Sequence, residues 1–262
     1  MRIVVLAKQV PDTWGQRELD PDTGRVVRRP AEATWDEVSE RALEAALAVK
    51  DADAATEVVV VTMAPASARD GIRKLLAAGA DRAVHLVDDA LGGADIRLTA
   101  QTLSAAVERL GADLVFAGES STDGNGGVVP AAIASVLGWP FAGGLEEARV
   151  AGAAIAGVRH GDRVTERIRA DLPAVASVTE RTPELRFAGL RGVMGAKKKT
   201  VDEWSLADLA VVPPAARSVV LDAAPRPERV AGHLEHETED SAARLADYLR
   251  GLGVASITGG AR

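Results

Sequence analysis

Residues 114–137 read LVFAGESSTDGNGGVVPAAIASVL and contain the segment that decides the fold. The segment begins with a short apolar run, Leu114–Ala117, of the kind that forms a buried parallel strand. A loop with four glycines and three hydroxyl side chains follows, and an apolar helical pattern then runs from Val128 to Leu137. A strand that leads through a glycine-rich loop into a helix is typical of α/β proteins, with the loop at the carboxyl edge of the sheet.

The same alternation of strand and helix patterns precedes this segment. Apolar, β-branched runs at Ile3–Ala7 and Val58–Thr62 predict two more buried strands, and Arg82–Val87 is a weaker candidate. Helical patterns lie between these runs, at residues 38–50, 66–78 and 96–110. We therefore predict an α/β fold with a doubly wound, mostly parallel, Rossmann-like sheet.

The pattern changes after about residue 145. Alternating residues from Glu147 to Val178 predict an antiparallel hairpin edge added to the sheet, and residues 180–200 are polar without clear periodicity. A proline-containing arm ends in a short helix from about Ser241, and it has too few apolar residues for a core of its own. We expect one nucleotide-binding domain at residues 1–205 and an extended C-terminal arm at residues 206–262.

Composition excludes several classes of function. The net charge of −7 argues against a general nucleic-acid binder. The chain has no cysteine, which excludes disulfides, thiolate metal sites and cysteine nucleophiles. The apolar run that Lys8 interrupts is too short for a signal peptide, and no run approaches the roughly 18 apolar residues of a membrane helix. We expect a cytoplasmic protein that is not embedded in a membrane.

The glycine-rich loop, residues 118–130, carries chemistry suited to a phosphate. Its glycines let the backbone approach a ligand closely, and amide groups at the start of the next helix attract an anion. The loop matches neither the Walker pattern nor G-x-G-x-x-G, and a flexible connection without a ligand is the alternative interpretation. At the entry to the first helix, Asp36 or Thr34 could equally act as a simple cap.

The sequence contains no convincing nucleophile, general base or metal site. The four histidines lack the spacing of a known metal pattern, and no Gly-x-Ser-x-Gly motif is present. This favours a binding or redox carrier role over hydrolysis. The lysine triplet Lys197–Lys199 is either a solvated face or a means of steering an acidic partner.

Five segments, in the order in which that family has them, resemble the beta subunits of electron transfer flavoproteins. The segments are Val5–Thr13, Arg73–His85, Ser121–Pro130 with Gly138–Pro140 after it, Leu172–Val175, and Leu190–Lys199. The resemblance spans roughly residues 1–205. It implies the adenine nucleotide alpha hydrolase-like variant of the fold and an alpha subunit, on which the C-terminal arm packs and which carries most of an FAD site.

The resemblance also implies a redox role without catalysis by this chain alone. Such a heterodimer accepts electrons from acyl-CoA and other flavoprotein dehydrogenases, as in fatty acid oxidation, and passes them to a quinone oxidoreductase. In most members the beta subunit buries a structural AMP. In electron-bifurcating members a second FAD occupies the same place.

Carried onto this sequence, the resemblance places the nucleotide at the ends of two strands, the entry to the first helix and the glycine-rich loop. The implied contacts are Leu6, Ala7, Lys8, Asp36, Glu37, Val38, Ser39, Met63, Gly118, Asp123, Gly124, Asn125, Gly126, Gly127, Val128 and Val129. Asp12 and Thr13 would approach the flavin of the alpha subunit. Residues from about 183 to 199 would dock dehydrogenases, with Leu190 as the apolar anchor. The other docking residues would be Arg191, Met194, Lys197, Lys198 and Lys199.

Two departures from the family pattern bear on which nucleotide is bound. Residues 127–130 are Gly-Val-Val-Pro where many AMP-binding members have Asn-Gln-Thr-Gly, so backbone amides would replace side-chain contacts to the phosphate. Bifurcating members share the Asp-Gly at positions 123–124, but they typically continue with Asp-Thr and a Gln. The sequence favours AMP and leaves a second FAD as the alternative.

Two readings belong to other classes of protein. A stand-alone adenine-nucleotide-binding domain of the stress-protein type would leave Leu190–Lys199 and the proline-containing arm unexplained. A nucleotide-hydrolysing or ligating enzyme is disfavoured, because the chain lacks a Lys-Ser/Thr phosphate motif.

Overall fold

The computed structural model describes residues 1–12, 14–15, 18–216, 220–224, 227–229, 232 and 238–253. The chain divides into two units, Met1–Ala223 and Ala224–Arg262. The strands are β1 (Arg2–Leu6), β2 (Gln9–Pro11), β3 (Ala33–Trp35), β4 (Glu57–Met63), β5 (Arg82–Leu86), β6 (Leu114–Gly118), β7 (Phe141–Leu145), β8 (Glu147–Ala151), β9 (Ala154–His160), β10 (Thr165–Asp171), β11 (Ala174–Val178) and β12 (Val201–Trp204). The helices are α1 (Glu37–Ala52), α2 (Arg69–Ala78), α3 (Ile96–Leu110), α4 (Val129–Leu137), α5 (Leu190–Ala196) and α6 (Ser241–Gly251).

Seven parallel strands form the central sheet, in the order β12-β5-β4-β1-β6-β11-β7. Successive side chains of β1 point to opposite faces and enter two separate cores. Ile3 and Val5 belong to the core that contains residues of α1 and α2, whereas Val4 belongs to the core that contains residues of α3 and α4. The predicted α/β fold with a doubly wound parallel sheet is confirmed.

Helix boundaries follow local signals in the sequence. Asp36 caps α1, because its side chain accepts a hydrogen bond from the backbone N–H of Val38, the second residue of the helix. Asp95 caps α3 in a similar way, by accepting from the backbone N–H of Leu98. Gly138 ends α4 in the left-handed conformation, with a φ of 67° that suits glycine. The pattern predicted as a helix at residues 66–78 begins with a 3₁₀ turn at Ala66–Ala68, and α2 follows it.

The antiparallel strands differ in arrangement from the predicted hairpin edge. Strands β8, β9 and β10 form a three-stranded sheet of their own, and β2 pairs with β3 in a second small sheet. Strand β11 instead lies between β6 and β7 and is parallel to both. The physical reason is burial, because all five residues of β11 are buried, as in a strand covered on both faces.

The polar stretch at residues 180–200 contains the short helix α5 and leads to β12 at the far edge of the sheet, beside β5. Two glycines within seven residues explain why no helical periodicity is visible there. In the second unit, α6 forms from Ser241 as predicted, and none of its residues is buried. Parts of the proline-containing arm before it, including Pro225, lie outside the described residues.

Candidate functional site

The carboxyl ends of three neighbouring strands lie side by side in the first unit. Strand β1 pairs with β4 on one side and with β6 on the other. The chain moves from β1 to β4 and β5 in one direction, and β6 then begins the other half of the sheet, so the strand order reverses between β1 and β6. Ligands of open α/β sheets bind at such a reversal, outside the carboxyl ends of the strands.

Lys8 and Asp123 meet at this reversal. The Lys8 Nζ atom lies 2.7 Å from Oδ1 of Asp123 and 2.9 Å from Oγ of Ser121. The Asp123 side chain is 1% exposed, whereas that of Lys8 is 43% exposed. A lysine ammonium has three donors, and these two contacts use two of them. Lys8 can therefore hold the loop and still present a donor towards solvent.

Arg28 contributes a second cation, which no sequence motif indicates. Its guanidinium pairs with Oδ2 of Asp123, so two cations hold the same carboxylate. Burial raises the pKa of Asp123, but hydrogen bonds from Lys8 and two further donors outweigh this effect and hold it well below its usual range. Nothing in the sequence distinguishes Arg28 from Arg29 next to it, and only the fold brings it to the loop.

Asp36 connects the start of α1 to the glycine-rich loop. Its Oδ1 atom accepts a hydrogen bond of 3.1 Å from the backbone N–H of Val38, which is the helix cap. Its Oδ2 atom accepts from both the backbone N–H and the hydroxyl of Thr122, at 2.7 and 2.8 Å. Asp36 is 1% exposed. The carboxylate therefore caps α1 and also fixes the loop in front of Asp123.

The other residues at the start of α1 divide between this reversal and the helix surface. Ser39 Oγ accepts a hydrogen bond of 3.3 Å from the backbone N–H of Lys8. Val38 packs against Gly118, where a Cβ atom would lie 3.0 Å from the Val38 carbonyl carbon. Gly118 thus permits close packing of α1 on β6. Glu37 instead forms an ion pair along α1 with Arg41.

The backbone of the loop is open beyond Asp123. Asn125 and Gly127 have positive φ values of 46° and 63°, and a Cβ atom at Gly126 would meet no atom within 4 Å. Gly124 donates its N–H to the carboxylate of Asp123 at 2.6 Å. Val128, which precedes α4, has no polar side chain that could cap the helix. Pro130, the second residue of α4, has no N–H, so the amides of Val129 and Ala131 are the ones at the start of the helix that remain suited to an anion.

The apolar residues predicted for the site lie at the ends of the two adjacent strands. Leu6 and Ala7 are buried at the end of β1, and Met63 is half-buried at the end of β4. The loop after Met63 is held by the buried His85, whose Nε2 atom donates to the carbonyl oxygen of Ala64 at 3.0 Å. Burial lowers the pKa of His85, which keeps the imidazole neutral.

Comparisons with known proteins identify the family of this chain. The family model described as "Electron transfer flavoprotein domain" matches residues 23–209. The chain is 41% identical over 257 residues to "Electron transfer flavoprotein subunit beta" of Mycobacterium tuberculosis (strain ATCC 25618 / H37Rv), which covers 94% of this chain and 97% of the relative. The chain belongs to the electron transfer flavoprotein beta subunit family.

Two further relatives show the spread of this electron transfer family. The chain is 42% identical over 257 residues to "Electron transfer flavoprotein subunit beta" of Mycobacterium leprae (strain TN), again covering 94% of this chain and 97% of the relative. It is also 35% identical over 216 residues to "Caffeyl-CoA reductase-Etf complex subunit CarD" of Acetobacterium woodii, covering 82% of each chain.

The flavin-facing residues expected of an electron transfer flavoprotein lie after β2. Asp12 is exposed, donates its N–H to Glu32 at 2.8 Å and accepts the N–H of Trp14 at 3.1 Å. Thr13 lies outside the described residues. The side chain of Trp14, which the sequence analysis did not select, is almost wholly exposed.

The expected dehydrogenase-docking segment, residues 183–199, presents apolar side chains to solvent. Leu190 is 78% exposed and Met194 is 64% exposed, and a spacing of four residues places them on one face of α5. Arg191, Lys197 and Lys198 are also exposed. Phe187, just before α5, is fully exposed and was missed by the sequence analysis.

Lys199 differs from the two lysines before it. Its Nζ atom donates to the carbonyl oxygens of Leu76 and Ala80, at 2.9 and 2.6 Å. Burial lowers the pKa of Lys199, with the charge of Lys50 adding to this effect and that of Asp81 opposing it. Its side chain thus faces the end of α2.

Other kinds of site are not evident in the part of the chain that the structure describes. No group of three or more histidine, aspartate or glutamate side chains is arranged there to hold a metal ion. His233 and His236 lie outside the described residues. None of the described helices has the length and apolar composition needed to cross a bilayer.

Proposed function

We propose that this chain is the beta subunit of a cytoplasmic, heterodimeric electron transfer flavoprotein. In this proposal it binds a structural AMP at the reversal between β1 and β6 and completes the FAD site of an alpha subunit. The heterodimer accepts electrons from acyl-CoA and other flavoprotein dehydrogenases and passes them to a quinone oxidoreductase. The single observation that carries the proposal is the pairing of Lys8 with Asp123 at this reversal.

The residues present fit a nucleotide phosphate. Lys8 has a donor beyond those that Ser121 and Asp123 use, and its side chain is partly exposed. The backbone near Gly126 and Gly127 is open, and the start of α4 offers amide groups without a polar cap. Backbone donors can therefore replace the side-chain contacts that the Gly-Val-Val-Pro sequence lacks.

The two carboxylates of the site, Asp36 and Asp123, position the glycine-rich loop and do not contact the phosphate in this proposal. The side chains of Asp123 and Asp36 are almost completely buried, and both are engaged by donors of the protein. Their negative charge is therefore largely compensated before a phosphate arrives. We assign them to holding the loop, whereas Lys8, Arg28 and the loop amides would face the phosphate.

A second FAD in the same place is the other candidate, and a specific observation favours it. The similarity to CarD, a subunit of a caffeyl-CoA reductase complex, extends over 82% of this chain. Arg28 adds a cation beside Lys8, which would also suit the two phosphates of a dinucleotide. We favour AMP, because residues 125–128 lack the Asp-Thr and the Gln that bifurcating members typically have there.

The exposed surfaces of the first unit support a carrier that acts through partners. Leu190 and Met194 form an apolar pair on α5, and the basic residues Arg191, Lys197 and Lys198 lie close in sequence. An exposed apolar anchor near basic residues suits a protein partner with an apolar pocket and acidic surroundings. Asp12 and its neighbours would contact the flavin held by the alpha subunit.

Chemical analysis of the purified heterodimer tests the proposal. The chain is co-expressed with the alpha subunit encoded in the same genome, and the complex is denatured to release its nucleotides. Chromatography and mass spectrometry should find FAD and AMP in equal amounts. Two FAD molecules per heterodimer would establish the second candidate instead. A colourless chain that forms no complex with the alpha subunit would contradict both.

A further inference from the structure

The docking segment, residues 183–199, is attached to the domain at both of its ends. At the first end, the Arg186 guanidinium forms an ion pair with Glu44 at 2.7 Å and another with Asp51 at 2.8 Å, and its backbone N–H donates to Glu44 at 3.0 Å. Both carboxylates belong to α1. The hydrogen bonds that its guanidinium donates to these two carboxylates raise the pKa of Arg186 above its ordinary value.

At the second end, two basic side chains join α2 to the end of α5, because each donates hydrogen bonds to carbonyl oxygens of the other segment. Lys199 donates to the carbonyl oxygen of Leu76, in the last turn of α2, and to that of Ala80, just after the helix. Arg73, on α2, donates in return to the carbonyl oxygens of Ala196 and Lys199, both at 2.7 Å. Each side chain therefore bonds carbonyl groups at or just beyond the end of the facing helix, and together the two side chains tie α5 to α2.

Helix α5 needs such support, because its own sequence is a weak helix former. Seven residues are too few for a stable isolated helix, and Gly192 and Gly195 lower its propensity further. Gly192 also allows a close approach to α2, since a Cβ atom there would overlap the carbonyl oxygen of Ala77. The conformation of the docking segment thus depends on its contacts with α2.

We propose that Lys199 is a positioning residue that holds helix α5 in the orientation needed for docking, and that it is not a charge presented to the partner. The proposal rests on the docking role assigned above. Lys197 and Lys198 are exposed and serve as the steering charges. The three consecutive lysines therefore have two distinct roles. When α5 is held in place before binding, less conformational entropy is lost as the partner binds.

Hydrogen exchange in the intact heterodimer tests the attachment without a partner. Lys199→Met removes the donors and the charge, and Lys198→Met is the matched control that removes the same charge from an exposed neighbour. We expect Lys199→Met to accelerate exchange of the amides in residues 190–196 by about tenfold, because two charged hydrogen bonds are lost. Lys198→Met should leave that exchange unchanged. Equal exchange in the two variants would overturn the proposal.

Steady-state reduction by an acyl-CoA dehydrogenase, with its acyl-CoA substrate in excess, tests the effect on docking. Lys199→Met should raise KM for the heterodimer about fivefold or more with kcat unchanged, because fewer molecules present the docking conformation. Lys199→Arg retains the donors and should restore most of the affinity. Lys198→Met should instead weaken the dependence of the association rate on salt.

Leu190→Ala separates a failure of this inference from a failure of the docking assignment. If Leu190→Ala raises KM while Lys199→Met loosens α5 without changing KM, docking is correct and the positioning role is wrong. If neither variant changes KM, the docking assignment itself is wrong, and the exchange result still reports on the attachment of α5.

Discussion

The ammonium group of Lys8 lies 2.7 Å from a carboxylate oxygen of Asp123, although 115 positions separate the two residues in the chain. Lys8 follows the first strand of the sheet, and Asp123 lies in the loop after β6. Their ion pair therefore links the two halves of the sheet at the point where the strand order reverses. The nucleotide site proposed above is built around this link.

Asp123→Asn should reduce the free energy of unfolding at pH 7 by about 1–2 kcal/mol, because the charge that holds Lys8 and Arg28 is lost. The pKa of Asp123 is lowered in the folded state. Its contribution is therefore complete above the unfolded pKa of about 3.9 and is lost as pH falls through the lower folded pKa. The difference between wild type and variant should thus narrow below about pH 4. Chemical denaturation at a series of pH values measures this difference in the free energy of unfolding. A difference that stays constant with pH would argue against an ionised Asp123 that holds Lys8 and Arg28.

Gly118→Ala should destabilise the protein by about 1–3 kcal/mol, because the added Cβ atom would lie 3.0 Å from the backbone of Val38. Gly126→Ala is the matched control within the same loop, where an added Cβ meets no atom within 4 Å. The control should change stability by less than about 0.5 kcal/mol. Thermal unfolding compares the two variants, and similar midpoints would show that the packing of α1 on β6 tolerates a methyl group.

Arg28→Gln should weaken nucleotide binding about tenfold, because one of the two cations beside the phosphate is removed. Arg29→Gln is the control, since Arg29 pairs with Glu18 and Glu32 instead of Asp123. Titration of the nucleotide-depleted heterodimer with AMP, by calorimetry, measures both. Unchanged affinity for AMP in Arg28→Gln would mean that Arg28 pairs with Asp123 but does not contact the phosphate.

Leu190→Ala and Phe187→Ala should each lower kcat/KM for reduction by an acyl-CoA dehydrogenase about tenfold, because each removes an exposed apolar group from the docking segment. Bound FAD and AMP should stay unchanged. Val164→Ala, which removes an exposed apolar side chain from the hairpin between β9 and β10, serves as the control. If the control loses as much activity as the two variants, the docking surface does not lie at α5.

Much of the fold could be predicted because buried parallel strands have a simple signature. The continuous apolar runs at Val58–Thr62 and Leu114–Ala117 are covered on both faces, and both are strands of the central sheet. The position of β11 could not be derived in the same way. Its residues follow a hairpin in sequence, and only the packing of the sheet decides that they lie between β6 and β7.

Residues of the candidate site could be predicted from the sequence only where a local motif indicates their role. The glycine-rich loop and the cap at Asp36 are visible in the sequence, because glycine and acidic caps have local backbone roles. Arg28 has no such motif, and its contact with Asp123 spans 95 positions. Likewise, nothing in a run of three lysines indicates that only the third would reach the end of α2.

The chain leaves the sheet after β11, which is next to the edge strand β7, and returns as β12 at the opposite edge, beside β5. The segment that joins them passes α1, where Arg186 is held, and α2, where Lys199 is held. Its anchoring points thus exist only after strands from distant parts of the chain have paired. An incompletely folded subunit would therefore have no ordered α5. If α5 docks redox partners as proposed, those partners would bind only subunits that have finished folding.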